Sequence, residues 1–397
     1  MRILSVGNMY PPHHFGGYEL IWRGAVEHLR EAGHEVRILT TDHRNPAPDP
    51  TVPEDSDCHR ELRWYWRDHA FPRLGFRSRL RLERHNLAVL RRHLDAWSPD
   101  LVAWWSMGGM SLSLVESVHR EERPAVAVVM DDWPTYGPLV DGWQKPFRKR
   151  RRLGRLAERL SGIPTLGDLA TRTRWVFISR NQRERTEASV GALPHARIAH
   201  AGVDGRLFGP APEHPWRWRL LYCGRVDPRK GIDLAVASLP LLPDEATLSV
   251  VGEGDPAHRA ELERLATELD VGDRVRFERV DRTRLAETFA ESDTLLFPVR
   301  WDEPWGLVPL EAMAVGLPVV ASGRGGSSEY FADGENCLLA DPDAGPGSLA
   351  NALLRLAGDA ELRARLRAGG LATAARYPDT AFANAVAAAA AETAAAS

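Results

Sequence analysis

This chain of 397 residues has few cysteines, no long apolar run and little net charge. Its three cysteines lie far apart and form no Cys-x-x-Cys pair, which argues against a disulfide framework and a zinc site. No apolar run approaches the roughly 18 residues of a membrane span, and the N-terminus lacks a basic segment followed by an apolar one. A net charge of −3 argues against a surface devoted to nucleic acid. A two-domain cytoplasmic enzyme is the simplest expectation, because the chain exceeds one ordinary core.

Lysine is also scarce, and the three that occur are Lys145, Lys149 and Lys230, against many arginines. Lysine presents a compact point charge, whereas arginine presents a planar fork, so the two differ at a tight phosphate site. In a chain that uses arginine almost everywhere, each retained lysine is therefore informative.

Strand and helix patterns alternate through the first half of the chain. A short apolar strand at Arg2–Val6 leads into the loop Asn8–Gly17, a helix from about Tyr18 to Ala32 and a strand at Glu35–Thr40. Such a β-loop-α-β unit predicts a right-handed crossover and a parallel sheet. The first domain is predicted to span residues 1–207.

The alternation restarts after a proline-rich linker at Gly205–Pro215. Strands at Leu220–Cys223, Thr247–Val251 and Thr294–Pro298, separated by helical patterns, predict a second Rossmann-like domain over residues 216–375. Ligands of such domains bind at the carboxyl ends of the strands, so we expect a cleft between the two domains.

The most informative segment is Trp301–Gly326, in which seven residues separate Glu303 from Glu311. Gly316 and Pro318 are helix stop signals, so a helix is predicted over Pro309–Val315, with Glu303 in the loop before it and Glu311 in its first turns. The free N–H groups of a helix N-terminus suit anions. Carboxylates beside an anion site fit a ligand with hydroxyls and phosphates, such as a nucleotide sugar.

Two cations lie on a strand-to-helix turn at the start of the second domain, in the segment Leu220–Gly231. Arg225 can bind a diphosphate as a fork and Lys230 as a point charge. Cations there would stabilise the charge that grows on a nucleoside-diphosphate leaving group. The alternative is a solvated pair of cations in an exposed turn, which the glutamates downstream make less attractive.

Four segments in this order resemble the family 4 (GT4) retaining glycosyltransferases of the GT-B fold. They are the Asn8–Gly17 loop, Gly224-Arg225 with Lys230-Gly231, Glu303-x₇-Glu311, and Gly325-Gly326 with Glu329 followed by Asp333-Gly334. The resemblance covers nearly the whole chain. It implies two Rossmann-like domains with parallel sheets facing an interdomain cleft, a donor held by the second domain and an acceptor held by the first. It further implies that residues 376–397 form a helix that crosses back to the first domain, and that no metal or other cofactor is needed.

The resemblance assigns a role to each matching residue. Arg225 and Lys230 would hold the donor diphosphate, and Glu311 would accept hydrogen bonds from the ribose. Glu303 would contact the transferred sugar, near the amides of Gly306 and Leu307. Gly16 and Gly17 would bring backbone N–H groups of the first domain close to the diphosphate. Gly325 and Gly326 of the second domain would shape the neighbouring wall of the site.

The chain departs from the family where many members carry a histidine beside the reacting sugar. When the Trp-Pro pair of the family is aligned with Trp133-Pro134, the histidine position is Met130. A thioether cannot accept a proton as imidazole does. Either Asp131 or Asp132 supplies the polar group, or the donor phosphate assists the acceptor; Asp131 is our candidate catalytic residue. The alternative for both aspartates is a strand-end turn. A second departure lies in Val275–Val280, where the family often has a glycine at Arg279 or its neighbour; that loop usually borders the base, so the identity of the base stays open.

The densest charge run, Lys145–Arg155, carries a partial leucine stripe that continues to Leu160. It could make a weak contact with anionic lipid or a phosphorylated acceptor. We favour a solvated helix face with its three leucines packed inward.

The sequence as a whole predicts a metal-independent, retaining glycosyltransferase. It would move a hexose-type sugar from a nucleoside diphosphate to a hydroxyl of a small molecule, glycan or lipid, and it would bind no nucleic acid. Two alternatives stay open, an epimerase-type enzyme that acts on the donor alone and a binding protein that has lost catalysis.

Overall fold

The computed structural model describes residues 1–66, 70–169 and 173–396. The chain divides into two compact units, unit 1 with Met1–His200 and Phe382–Ser397, and unit 2 with Ala201–Ala381. The division precedes the linker expected at Gly205–Pro215, which contains neither helix nor strand and belongs to unit 2. Unit 2 begins at Ala201, whose carbonyl accepts a 2.8 Å hydrogen bond from the Trp305 indole of the same unit.

Unit 1 is built on a seven-stranded sheet in the order β3-β2-β1-β4-β5-β6-β7, and every pair is parallel. The central strands are apolar and buried on both faces, which is typical of a parallel sheet covered by helices. The strands are β1 Arg2–Val6, β2 Glu35–Thr41, β3 Cys58–Leu62, β4 Leu101–Trp104, β5 Ala125–Val129, β6 Arg174–Phe177 and β7 Ala196–Ile198.

In the described part of unit 1, six helices connect these strands, and most of a seventh, C-terminal helix also belongs to this unit. Glu392 on that last helix forms ion pairs with Arg197 and Arg174 of the sheet edge. The helices are α1 Gly17–Glu31, α2 Phe76–Trp97, α3 Ser113–Arg120, α4 Trp133–Val140, α5 Arg151–Ser161, α6 Arg180–Val190 and α13 Asp379–Ala395.

Unit 2 repeats this architecture with a six-stranded sheet in the order β10-β9-β8-β11-β12-β13, again all parallel. The strands are β8 Arg219–Cys223, β9 Thr247–Val251, β10 Val275–Glu278, β11 Thr294–Phe297, β12 Val319–Ala321 and β13 Leu338–Leu339. The helices are α7 Ile232–Ser238, α8 Pro256–Glu268, α9 Leu285–Ala290, α10 Leu307–Val315, α11 Pro346–Gly358 and α12 Ala360–Ala374.

The strand order reverses direction between β1 and β4 in unit 1, and between β8 and β11 in unit 2. At such switch points the loops leave two neighbouring strands toward opposite faces of the sheet and open a crevice at the carboxyl edge. The predicted site residues of each unit lie at or next to its switch point, in the loops that follow the strands or in the first turns of the helices after those loops.

Two predictions about helices need correction. Helix α10 begins at Leu307, two residues before the predicted Pro309, because Gly306 turns the chain into the helix with a φ of +84°; a proline in the first turn loses no helical hydrogen bond. The three leucines of α5 do not pack inward but are exposed. In the described part of the chain, no helix combines the length and the apolar character needed to cross a bilayer.

Candidate active site

Three loops of unit 2 meet at the carboxyl edge of its sheet because β8, β11 and β12 are neighbours there. The loop after β8 carries Arg225 and Lys230, the loop after β11 carries Glu303, and the loop after β12 carries Gly325 and Gly326. The three segments that the sequence singled out in the second domain are therefore brought together by the topology.

The turn after β8 is organised by Asp227. Its carboxylate accepts hydrogen bonds from the amide of Arg229 at 3.0 Å and from two nitrogens of the Arg229 guanidinium at 2.9 and 2.7 Å. Burial alone would raise the pKa of Asp227, but these bonds and the Arg225 guanidinium 3.4 Å away lower it well below its usual range. Arg225 itself is about half exposed, with its backbone carbonyl held by the Tyr222 hydroxyl at 2.8 Å.

Lys230 and Glu303 form the central ion pair of the site. The Lys230 ammonium lies 2.5 Å from a carboxylate oxygen of Glu303, and the two side chains are only 14% and 13% exposed. The Trp301 indole donates to the same oxygen at 2.9 Å, and its ring lies 5.5 Å from the ammonium. A largely desolvated pair with a second donor holds both side chains in a defined position.

The glycines of the third loop support the backbone of Glu303. The amide of Gly326 donates to the Glu303 carbonyl at 2.6 Å. Gly325 has a φ of +69°, and a Cβ there would overlap the backbone of Asp302 and Glu303. Only glycine allows this approach. Beyond Glu303, the carbonyl of Gly306 accepts a 2.6 Å hydrogen bond from the Tyr330 hydroxyl.

Glu311 lies on α10 with its side chain only 2% exposed, and it has a partner that the sequence did not indicate. The Arg282 guanidinium donates to one of its carboxylate oxygens at 2.8 Å and lies over the ring of Phe208. Nothing in the local sequence distinguishes Arg282 from the other arginines, since it lies 29 positions before Glu311.

In unit 1, Gly16 and Gly17 lie where the loop after β1 enters helix α1. Gly16 is the N-cap residue with extended backbone, and in the described part of the chain no atom beyond the adjoining residues and the helix backbone lies within 4 Å of a Cβ built on either glycine. Both glycines are exposed. The loop is fastened below by Asn8, whose amide and side chain both bond Ser106.

Asp131 follows strand β5 and has its carboxylate among three donors. The Trp133 amide and the Tyr136 hydroxyl lie at 3.3 Å, and the Ser106 hydroxyl at 3.4 Å. Desolvation raises the pKa of Asp131 to about 6, with a contribution from the neighbouring charge of Asp132, although the three hydrogen bonds lower it. Asp131 can therefore exchange a proton near neutral pH.

Asp132 is engaged differently from Asp131. Its two oxygens accept from the Gln182 side chain at 2.9 Å and from the Arg185 guanidinium at 2.8 Å, both on helix α6. This anchoring suits a structural role, so the geometry favours Asp131 as the candidate reactive carboxylate. Met130 is buried, as expected of a thioether at the end of a parallel strand.

Within the described residues, one group of side chains has metal-ligand geometry: His59 and Glu61 on β3 with His93 on α2. Glu61 is already paired with Arg92 there, and His59 bonds Asp57 at 3.2 Å. None of these residues belongs to the loops that carry the predicted site.

Curated relatives of this chain include several glycosyltransferases and a glycogen synthase. The chain is 40% identical over 161 residues to D-inositol 3-phosphate glycosyltransferase of Xylanimonas cellulosilytica, covering 40% of this chain and 38% of the relative. It is 30% identical over 291 residues to D-inositol 3-phosphate glycosyltransferase 2 of Catenulispora acidiphila, covering 66% and 61%. The chain thus spans between about two fifths and three fifths of these relatives' length. It is 26% identical to glycogen synthase of Mycobacterium tuberculosis, covering 86% and 83%.

Solved structures of similar fold cover essentially the whole chain. Sucrose-phosphate synthase of Thermosynechococcus elongatus superposes with a TM-score of 0.73 at 22% identity, covering 100% of both chains. HepE of Anabaena, in complex with UDP-glucose, gives 0.69 at 19% identity with 98% of both chains covered. WaaG, a glycosyltransferase of lipopolysaccharide biosynthesis, gives 0.68 at 19%, also covering 98% of both chains. The predicted GT-B class of two parallel-sheet α/β domains is confirmed.

Two family models match consecutive parts of the chain. The glycosyl transferase 4-like domain matches residues 16–174, which include Gly16, Gly17 and Asp131. The model of glycosyl transferases group 1 matches residues 211–372, which include all the predicted donor residues of unit 2. The chain belongs to the GT4-like group 1 glycosyltransferases.

Proposed function

We propose that this protein transfers a hexose-type sugar from a nucleoside diphosphate to an acceptor hydroxyl, with retention at the anomeric carbon and without a metal. The observation that carries the proposal is the largely buried Lys230–Glu303 pair beside the N-terminus of helix α10. A desolvated cation suits a diphosphate, a fixed carboxylate suits sugar hydroxyls, and a helix N-terminus adds free N–H groups.

The donor would be held by residues of unit 2. Lys230 has three ammonium protons, so it can keep Glu303 and still donate to a phosphate oxygen, while the half-exposed Arg225 supplies a second cation. Because Arg282 engages one carboxylate oxygen of Glu311, the other would accept from a ribose hydroxyl. The UDP-glucose bound by HepE supports a donor of this class.

The proposed reaction occurs on one face of the sugar. The bond from the anomeric carbon to the leaving phosphate oxygen breaks, and its electron pair stays with the phosphate, where Arg225 and Lys230 stabilise the charge. The acceptor oxygen forms the new bond on the same face and gives its proton to that phosphate oxygen. Such a step needs no protein base, which fits the replacement of histidine by Met130.

The acceptor side of the proposal rests on unit 1. Asp131 would accept a hydrogen bond from a hydroxyl of the sugar or acceptor, and the exposed Gly16 and Gly17 would offer backbone N–H groups to the diphosphate. One relative, from Mycolicibacterium smegmatis, is named for a GDP-mannose donor and a phosphatidylinositol monomannoside acceptor. Names such as this support a polyol or glycan hydroxyl as the acceptor class.

The test is a thermal-shift screen of the full chain against nucleoside-diphosphate sugars, because a ligand that binds only the folded state raises the melting temperature. The donor found is then incubated with candidate acceptors, with and without a chelator, and the product anomer is read by NMR. We expect transfer with retention that is insensitive to the chelator. An inverted product or loss of transfer on chelation would contradict the mechanism.

A second candidate function is nucleotide-sugar binding without catalysis, which the presence of Met130 favours. It predicts that the donor raises the melting temperature but that no acceptor yields product. An epimerase-type activity would instead change the donor in the absence of any acceptor. The same screen separates both alternatives from transfer.

A further inference from the structure

Helix α5 of unit 1 exposes a row of leucines to solvent. Leu153, Leu156 and Leu160 are 54%, 53% and 77% exposed, and their spacing places them on one face of the helix. We call these three residues the leucine stripe. Scattered exposed leucines are ordinary, but an aligned row on one helix marks a surface that meets something apolar.

The way α5 is attached to unit 1 forces this stripe outward. Gly154 is the one buried residue of the helix, and a Cβ there would lie 2.9 Å from the Thr165 hydroxyl and 3.1 Å from Phe147. Glu158, on the same side, bonds the Arg120 guanidinium at 2.5 Å and the Thr165 amide at 3.0 Å. A close glycine contact and an ion pair thus occupy the inward face, and the leucines are left outside.

The leucine stripe lies within the most basic segment of the protein. Between residues 145 and 161 there are eight basic residues and one acid, Glu158, which Arg120 already engages. All eight are exposed, in a chain whose net charge is −3. We call them the basic rim: Lys145, Arg148, Lys149, Arg150, Arg151, Arg152, Arg155 and Arg159.

From this arrangement we propose that α5 docks the protein on an anionic lipid surface, with the leucine stripe among the acyl chains and the basic rim on the headgroups. A helix with an apolar face, a polar face rich in arginine and little overall hydrophobicity is suited to lie in a membrane interface. Each cation near an anionic leaflet adds attraction. A nucleic acid would use the cations but give the leucines no partner, since its recognition relies on stacking and hydrogen bonds.

The docking surface is independent of the proposed sugar transfer. No residue of the leucine stripe or of the basic rim belongs to the predicted donor or acceptor residues. Binding to lipid can therefore be measured without a donor or an acceptor, and failure of either proposal leaves the other intact.

The test is co-sedimentation of the full chain with vesicles. One set is neutral phosphatidylcholine, and in the other about a third of the lipid is anionic phosphatidylglycerol. We expect binding to the anionic set, weakening by roughly tenfold or more as NaCl rises to about 0.5 M. The variant Leu153→Ser/Leu156→Ser/Leu160→Ser should lose binding by roughly tenfold or more. Arg151→Ala/Arg152→Ala/Arg155→Ala should weaken it on anionic vesicles only.

The control is Leu241→Ser/Leu354→Ser, which removes leucines of comparable exposure, 52% and 43%, outside the basic rim. It should bind like the wild type, and circular dichroism should show every variant folded. Equal loss in this control, or no binding of the wild type to anionic vesicles, overturns the proposal. So does a wild type that self-associates in solution through the leucine stripe and ignores vesicles.

Discussion

Gly325 tests most directly whether the position of Glu303 matters. An alanine Cβ at residue 325 would lie 2.5 Å from the carbonyl carbon of Asp302, whereas ordinary contact begins near 3.4 Å. The loop that carries Glu303 must therefore retreat by about 1 Å. Gly162 provides the control, because its φ of +72° nearly equals the +69° of Gly325 but, among the described residues, no atom outside its own neighbours lies within 4 Å of a Cβ built there.

Both alanine variants put a side chain into a left-handed conformation, which costs about 1–2 kcal/mol of stability. Gly325→Ala should lose about 1–3 kcal/mol more from overpacking. It should also weaken the 2.5 Å contact of Glu303 with Lys230 and the 2.6 Å bond from the Gly326 amide. Since a displacement of 1 Å can cost about a hundredfold in rate, we expect kcat/KM to fall by that factor. That loss corresponds to about 2.7 kcal/mol of transition-state stabilisation.

The assay is nucleotide release with the donor found by the thermal-shift screen, together with urea unfolding of each variant. Gly162→Ala should stay within about twofold of wild-type turnover despite its lower stability. If the two variants lose turnover equally, the effect is one of folding. If Gly325→Ala keeps wild-type turnover, the position of Glu303 does not control the reaction and its assignment to the sugar fails.

Three further predictions concern single side chains. Lys230→Ala should reduce turnover by more than about tenfold, because it removes a cation that stabilises the leaving group. Arg264→Ala, which removes an exposed cation elsewhere in unit 2, is the control and should leave turnover unchanged. Near-normal turnover of Lys230→Ala would exclude the diphosphate role. Glu311→Ala should weaken binding of the free nucleoside diphosphate in calorimetry, and unchanged affinity would refute the ribose assignment. Asp131→Asn should change both turnover and the pH dependence of stability, and unchanged turnover would make this carboxylate structural.

The sign for Asp131 follows from its raised pKa. Between its ordinary value of 3.8 and about 6, the folded protein holds a proton that the unfolded chain releases, so stability falls as the pH rises. About two pKa units correspond to at most about 3 kcal/mol, a cost absent below about pH 3 and nearly complete above about pH 7. The advantage of Asp131→Asn over the wild type in urea unfolding should therefore grow between about pH 4 and about pH 7.5. An advantage that is constant with pH would contradict the raised pKa.

Local signals explain what could be predicted in unit 2. A strand-turn-helix is predicted at the start of that unit from an apolar strand followed by Gly224 and Gly231. Gly316 marks the end of the helix that carries Glu311. Both predictions succeed because caps and periodicity act within a few residues. The spacing of Glu303 and Glu311 likewise places one glutamate before a helix and the other inside it.

In unit 1, strand β3 was not predicted, since its five residues, CHREL, contain few apolar side chains.

The sequence alone therefore indicated the alternation of strands and helices in both domains, the GT4-like resemblance and the candidate residues of each loop. Tertiary structure decided which of them meet: Lys230 reaches Glu303 across 73 residues, and Arg282 reaches Glu311 across 29. It also decided the direction of the leucines on α5. A helical period creates a stripe without saying which way it faces, and the contacts of Gly154 and Glu158 turn that stripe to solvent. Such pairings depend on how distant strands and helices pack, which local sequence does not encode.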